Sequence, residues 1–218
     1  ASLVGLVADL GEDASLLAEA RKLTDRWLRD RSGIEPEMVD AVLRSAAAHG
    51  DDALFERFHH EARKETRLRE RGYLLRAMSG FRDPRIVERA LQIVLSGEFD
   101  AREATTLVFG EHKDPGTQLL VYEFVRQNFD ALAAKLPRDT AARLPAVAVG
   151  LCDEARRDEM EHFFADRSTK HTGGPRILTQ ALEQLSLCSA YREAQQPSVV
   201  AFLSARAPSK AAEAATPR

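Results

Sequence analysis

The chain has 218 residues, of which 44% are hydrophobic and 30% charged, and its formal net charge at pH 7 is -3. A chain of this length can bury roughly 70% of its unfolded surface, and its composition is that of a soluble globular protein. The slightly negative charge argues against a nucleic-acid partner, which would need a basic face. The longest apolar runs are shorter than the ~18 residues of a membrane span, and no signal-peptide pattern opens the chain, so we expect a cytoplasmic location.

The first residues, ASLVGLVADLG, place Leu3, Leu6, Val7 and Leu10 at helical spacing before a glycine. No N-cap residue precedes this pattern, which predicts that the chain begins inside a helix. We therefore expect an N-terminally truncated fragment of a longer polypeptide, in which the missing part covers the first helix.

Helix start signals then recur along the whole chain. Asp-Pro pairs at 83–84 and 114–115, and aspartates at 51–52, 100 and 153, precede amphipathic runs. No stretch shows the strict alternation that marks a strand, so the fold class is predicted to be all-α. The clearest amphipathic stripe follows Asp83 and Pro84 and consists of Ile86, Val87, Ala90, Leu91, Val94 and Leu95.

The predicted helix starts are regularly spaced, at residues 14, 36, 52, 67, 84, 101, 115, 139, 154, 175 and 197. A helix pair thus repeats at a regular period, which is typical of stacked helical hairpins. The spacing predicts a right-handed α-solenoid of HEAT-like hairpins. We expect one helical-repeat domain over residues 1–207, with a loop at 168–174 and a tail at 208–218.

One short stretch resembles a zinc-peptidase motif. In FERFHHEARK, His60 and Glu61 begin the pattern H-E-x-x-H, but the second histidine is replaced by Lys64, so the pair of metal ligands is incomplete. The helical spacing places His59 beside the apolar face and points His60 away from it. Since the other histidines are scattered over different predicted helices, we expect neither a metal site nor a catalytic residue in this chain.

The two cysteines, Cys152 and Cys188, are too far apart in sequence for a C-x-x-C motif and too few for a disulfide framework. We expect both to be buried free thiols. The sequence contains no G-x-S-x-G nucleophile elbow, Gly-rich phosphate loop or S-x-x-K motif. The residues therefore predict a helical-repeat scaffold without catalytic machinery.

Several segments, in order, resemble a known family. YLLRAMSGFRDPRIVERALQIVLSGEFDAREA, from Tyr73, is similar to the C-terminal helical domain of zinc aminopeptidases of the aminopeptidase N and endoplasmic-reticulum aminopeptidase type. GEDASLLAEARKLTDRWL precedes it, and YEFVRQNFDAL, LCDEARRDEMEHFFADR and ILTQALEQLSLCSAYRE follow in family order. Tyr122 and Phe129 replace two family tryptophans and keep an aromatic core role. Asp100 to Glu103 replace the family's Arg-x-Gln-Asp segment.

The resemblance implies a function for the chain. In such enzymes the zinc, its H-E-x-x-H ligands and the G-x-M-E-N loop lie in an upstream catalytic domain, and these motifs are absent from this chain. The resemblance implies that the chain is the non-catalytic C-terminal domain, a curved bowl that closes over the active-site cleft and helps to bind or gate peptide substrates. Its expected partners are the upstream catalytic domain, which would hold the zinc, and peptides.

Peptide contacts are expected at arginines beside predicted helix ends, because a guanidinium matches a carboxylate geometrically. The candidates are Arg76, Arg82 and Arg126. A second function stays open from the residues alone, since a repeat scaffold without catalytic residues also suits an independent α-solenoid adaptor that binds a protein or peptide partner.

Overall fold

The computed structural model describes residues 7–8, 11–110 and 115–206. Their main elements are α-helices and one 3₁₀ helix, with no strand in these ranges, so the all-α prediction is confirmed. The elements are α1 (Ala14–Asp30), α2 (Val39–Ala48), α3 (Asp52–Lys64), α4 (Leu68–Met78), α5 (Pro84–Ser96), α6 (Ala101–Ala104), α7 (Thr106–Phe109), α8 (Pro115–Gln127), α9 (Phe129–Lys135), α10 (Arg138–Ala141), the 3₁₀ helix (Leu144–Leu151), α11 (Glu154–Thr169) and α12 (Gly174–Ser204).

Most predicted helix starts are confirmed within one residue, because an aspartate caps the helix where the sequence places one. The Asp13, Asp51 and Asp83 carboxylates accept hydrogen bonds from backbone N–H groups in the first turns of α1, α3 and α5, at 2.9 Å in each case. Two predicted starts are wrong. The second helix begins at Val39 rather than residue 36, and α12 runs through residue 197 without a break.

Helix α5 shows why the amphipathic stripe predicts burial. Ile86, Val87 and Leu91 are at most 1% exposed, as the helical period requires for one face of the helix. The helix ends at Gly97, whose φ of 76° is the left-handed conformation that glycine adopts without steric cost. The predicted helix at 3–10 and the tail at 208–218 lie outside the described residues, apart from 7–8.

The described helices pack both against the next helix in the chain and against helices further along it. Helix α1 packs on α2, α3 on α4, α8 on α5 and on the 3₁₀ helix, and α11 on α12. One contiguous core joins them and extends from Ala20 to Leu185. The solenoid arrangement, its right-handedness, its bowl shape and the boundary at residue 207 stay predictions.

The two cysteines correct a prediction. Cys152 and Cys188 form a disulfide, with Cα atoms 5.0 Å apart, and neither is buried. Helices α11 and α12 run antiparallel, and the Glu154 carboxylate of α11 accepts a hydrogen bond from the Ser186 hydroxyl of α12 at 3.0 Å. This contact brings the nearby Cys152 and Cys188 together. The prediction of buried free thiols is therefore wrong, because packing of the two helices closes a separation of 36 residues.

The core contains an aromatic side chain with an unsatisfied polar group. Tyr122 in α8 is 0% exposed, and its hydroxyl has no hydrogen-bond partner among the described residues. Burial raises the pKa of this hydroxyl to about 12. A buried hydroxyl without a partner loses its hydrogen bonds to water on folding, and this loss destabilises the folded state.

Replacing Tyr122 by phenylalanine should therefore stabilise the protein. We expect the Tyr122→Phe variant to gain about 1 kcal/mol in free energy of unfolding and roughly 2–4 °C in Tm. Tyr73→Phe is the matched control, because the Tyr73 hydroxyl accepts from Arg69 at 3.0 Å and donates to the Pro36 carbonyl at 3.3 Å. Thermal unfolding of both variants checks the prediction, and a lower Tm for Tyr122→Phe contradicts it.

Candidate functional site

The zinc-motif fragment lies on α3, and its side chains point to different partners. His59 packs between the rings of Phe55 and Phe99, and its Nε2 lies 2.9 Å from the Glu98 carboxylate. His60 is exposed to solvent. Glu61 accepts a hydrogen bond from Arg31 at 2.9 Å, so its carboxylate serves an ion pair between α1 and α3.

The rest of the described structure also lacks a metal-binding constellation. Within residues 7–8, 11–110 and 115–206, no group of three or more His, Cys, Asp or Glu side chains is arranged to hold a metal ion. The donor set of these described residues therefore does not fit a zinc ion.

Arg76 lies in the last turn of α4, at the helix end where the sequence predicts it. Its Nε donates to the Asp40 carboxylate at 2.6 Å, and its guanidinium lies 5.2 Å from the ring centroid of Tyr73. The side chain is still 42% exposed. Arg76 therefore forms an ion pair with α2 and is still accessible to solvent.

Arg126, in the last turn of α8, belongs to a denser cluster of charges. Its guanidinium donates to Glu123 at 2.8 Å and pairs with Glu159 of α11 at 3.2 Å. Arg156 of α11 reaches the same Glu123 carboxylate at 3.4 Å. The hydrogen bond to Glu123 raises the pKa of Arg126. An incoming carboxylate would have to displace these acidic partners.

Arg82 lies in the turn between α4 and α5, outside any helix. The ion pairs of Arg76 and Arg126 belong to separate clusters, one around Asp40 and the other around Glu123 and Glu159. Nothing in these contacts tests a peptide-binding role, so peptide contact by Arg76, Arg82 and Arg126 stays a prediction.

The structure also contains a cleft that no sequence pattern predicts. Its volume is about 170 Å³, and it lies between α7, α8 and the 3₁₀ helix. A Cβ atom at Gly150 would lie 2.4 Å from the Gln118 side-chain amide nitrogen, so a larger residue at this position would displace the Gln118 side chain. The lining surface is polar and apolar in nearly equal parts. It includes no nucleophile or acid–base pair and is formed by Val108, Phe109, Gly110, Gln118, Val121, Ala146, Val147 and Gly150.

Two comparisons with known proteins agree with each other. The sequence model of the family described as the ERAP1-like C-terminal domain matches residues 1–187. The chain is also similar to Aminopeptidase 2, mitochondrial, of Saccharomyces cerevisiae, with 22% identity over 156 residues. That alignment covers 70% of this chain and 16% of the yeast protein, so the chain spans a small part of its relative's length. None of the described helices has the length and apolarity needed to cross a membrane.

Proposed function

The chain belongs to the family of ERAP1-like C-terminal domains, and from this premise we propose that it is the non-catalytic C-terminal domain of a zinc metallo-aminopeptidase. The observation that carries the proposal is the extent of the family match, since residues 1–187 include the whole contiguous core from Ala20 to Leu185. In this proposal the zinc and its ligands lie in a catalytic domain of the same polypeptide.

In this proposal the domain closes over the active-site cleft and helps to bind or gate peptide substrates. Closing requires movement between domains, which is compatible with the moderate size of most interdomain interfaces. The alternative of an independent solenoid adaptor has less support, because the family match extends over nearly all of the packed helices.

The isolated chain tests the non-catalytic role. We expect purified residues 1–218 to contain no stoichiometric zinc by elemental analysis and to hydrolyse no aminoacyl chromogenic substrate. One zinc ion per chain after dialysis against a weak chelator, or activity that co-purifies with the folded chain, contradicts the proposal.

Among the candidate arginines, Arg76 is the best suited to contact a peptide. It combines one strong ion pair with 42% side-chain exposure, whereas Arg126 is held by two acidic side chains. A half-exposed guanidinium keeps N–H groups within reach of a peptide carboxylate. Arg82 remains a candidate by its position in the turn after α4.

Charge reversal in the complete enzyme tests the peptide contact. We expect Arg76→Glu to raise KM for long peptides several-fold and to leave kcat for a short aminoacyl chromogenic substrate unchanged. Arg89→Glu is the matched control, because Arg89 is 44% exposed and pairs with Asp52 and Glu56. Equal KM values for long peptides in wild type, Arg76→Glu and Arg89→Glu would refute the role of Arg76.

A further inference from the structure

The last four turns of α12 leave the packed helices. Leu185 and Ser189 are buried, whereas every side chain from 190 to 206 is exposed. This end of the helix, together with the turn before it, is rich in large exposed apolar side chains, which are 50–70% exposed: Leu187, Tyr191, Val199, Val200, Phe202 and Leu203. A helix exposed to water normally presents a polar surface, so this segment lacks the partner that its composition requires.

A proline interrupts the same segment. Pro197 lies inside α12, where it has no N–H to donate to the carbonyl of Glu193 and where its ring crowds that carbonyl. The residue before a proline also disfavours the α conformation. Since no side chain from 190 to 206 is buried, no tertiary packing offsets these penalties. The helix is therefore weakest at residues 195–197.

The apolar residues on the two sides of this weak point form matching stripes. Before it, Leu187, Tyr191 and Ala194 follow each other at i, i+4 and i+7, on the side of α12 opposite its buried face. After it, Val199, Phe202 and Leu203 lie at i, i+3 and i+4, which also gives one helical face. Two antiparallel helices can be joined by a loop of only two to five residues.

We propose that α12 opens at Pro197 and that residues 197–204 fold back as a short helix against Leu187 and Tyr191. The straight helix and this hairpin are two states of the chain. Proline suits the first position of the short helix, because its N–H would have no partner there and its φ is already helical. Folding back removes both apolar stripes from water, and this gain in burial favours the hairpin. The inference does not rest on the proposed function.

Distance measurement between spin labels distinguishes the two states. Labels carried by unnatural amino acids at Thr179 and Ser204, both exposed, leave the native disulfide intact. A straight helix separates these positions by about 37 Å, at ~1.5 Å per residue, whereas the hairpin brings them to below about 20 Å. We expect the short distance to dominate in the complete 218-residue chain, and a single distance near the long value overturns the proposal.

Variants show whether the apolar contact produces the short distance. Tyr191→Ser and Pro197→Ala should both shift the distribution toward the long distance, the first by weakening the contact and the second by strengthening the straight helix. Leu68→Ser is the matched control, because Leu68 is an exposed apolar residue of α4 at 68% exposure, and it should change nothing. A short distance in a sample labelled at Ser204 alone would assign the apolar patch to a second copy of the chain and would also overturn the proposal.

Discussion

Replacing Cys152 and Cys188 together by serine is expected to lower the free energy of unfolding by about 4 kcal/mol. The bond closes a sequence separation of 36 residues, and cross-linking such a loop removes much of the conformational entropy of the unfolded chain. The bond also holds the backbone of Cys152 in its folded conformation. The φ of Cys152, 49°, lies in the left-handed region that is unfavourable for residues other than glycine. Chemical denaturation of the double variant and the wild type measures the difference.

A reductant separates loss of the bond from other effects of the serine side chains. Reduced wild-type protein should unfold at nearly the same denaturant concentration as the double variant, and the double variant should not respond to the reductant. Alkylation followed by mass spectrometry should detect no free thiol before reduction and two after it. Two free thiols in the folded, unreduced protein would contradict the prediction.

The thiol count also bears on location. Disulfides persist in oxidising compartments and are rare in the reducing cytosol. An intact Cys152–Cys188 bond in protein isolated under conditions that block thiol exchange would therefore contradict the cytoplasmic location expected from the sequence. Two alkylated thiols in the same experiment would support that location.

Local signals in the sequence predict the helices well. Asp13, Asp51 and Asp83 cap helices because a short carboxylate side chain can reach the N–H groups of its own next turn, and this needs no information from distant residues. The burial of α5 follows from the period of its apolar residues in the same way. The positions of Arg76 and Arg126 in last helical turns were predictable for the same reason.

The features that depend on distant residues could not be predicted. The disulfide needs the antiparallel packing of α11 on α12, and Asp40, the partner of Arg76, lies 36 residues away on another helix. The cleft depends on where the 3₁₀ helix passes α8, which no local pattern determines. Pro197 predicts a helix start by local rules, yet α12 runs through it, so at this position the local preference and the observed helix conflict.

One arginine joins the C-terminal ends of α1 and α3. Arg31 follows α1 with a φ of 59°, and its Nη1 donates to the carbonyls of Trp27 and Leu28 at 3.2 and 2.9 Å. Its other nitrogens reach Glu61 at 2.9 Å and Glu65 at 3.3 Å, and its side chain is only 17% exposed. This guanidinium therefore caps α1 and binds the end of α3 at the same time.

Glu65 is the carboxylate most perturbed by this junction. Its side chain is 8% exposed and accepts hydrogen bonds from the side chain and backbone N–H of Arg67, at 3.0 to 3.1 Å, as well as from Arg31. Arg71 donates to its backbone carbonyl at 2.8 Å. The hydrogen bonds from Arg67, then that from Arg31, lower the pKa of Glu65 to about 2. Because the folded state favours the charged form, ionised Glu65 stabilises the fold.

Replacing Glu65 by glutamine should therefore lower the free energy of unfolding at pH 7 by about 2–3 kcal/mol, because the arginines lose their anionic partner in a poorly solvated position. Glu56→Gln in the helix α3, which precedes Glu65, is the matched control. The Glu56 side chain is 62% exposed in its ion pair with Arg89, and an exposed pair contributes about 0–1 kcal/mol. Denaturant unfolding at pH 7 compares the two variants.

The pH dependence of this difference identifies ionised Glu65 as its source. A carboxylate with a lowered pKa contributes its full stabilisation above its unfolded-state pKa, near 4.5, and loses it as the pH falls through the folded-state value of about 2. The stability difference between wild type and Glu65→Gln should therefore be constant from pH 7 to pH 5 and shrink progressively below pH 4.5. A difference that stays the same down to pH 2.5 would mean that the loss of stability does not come from the charge of Glu65.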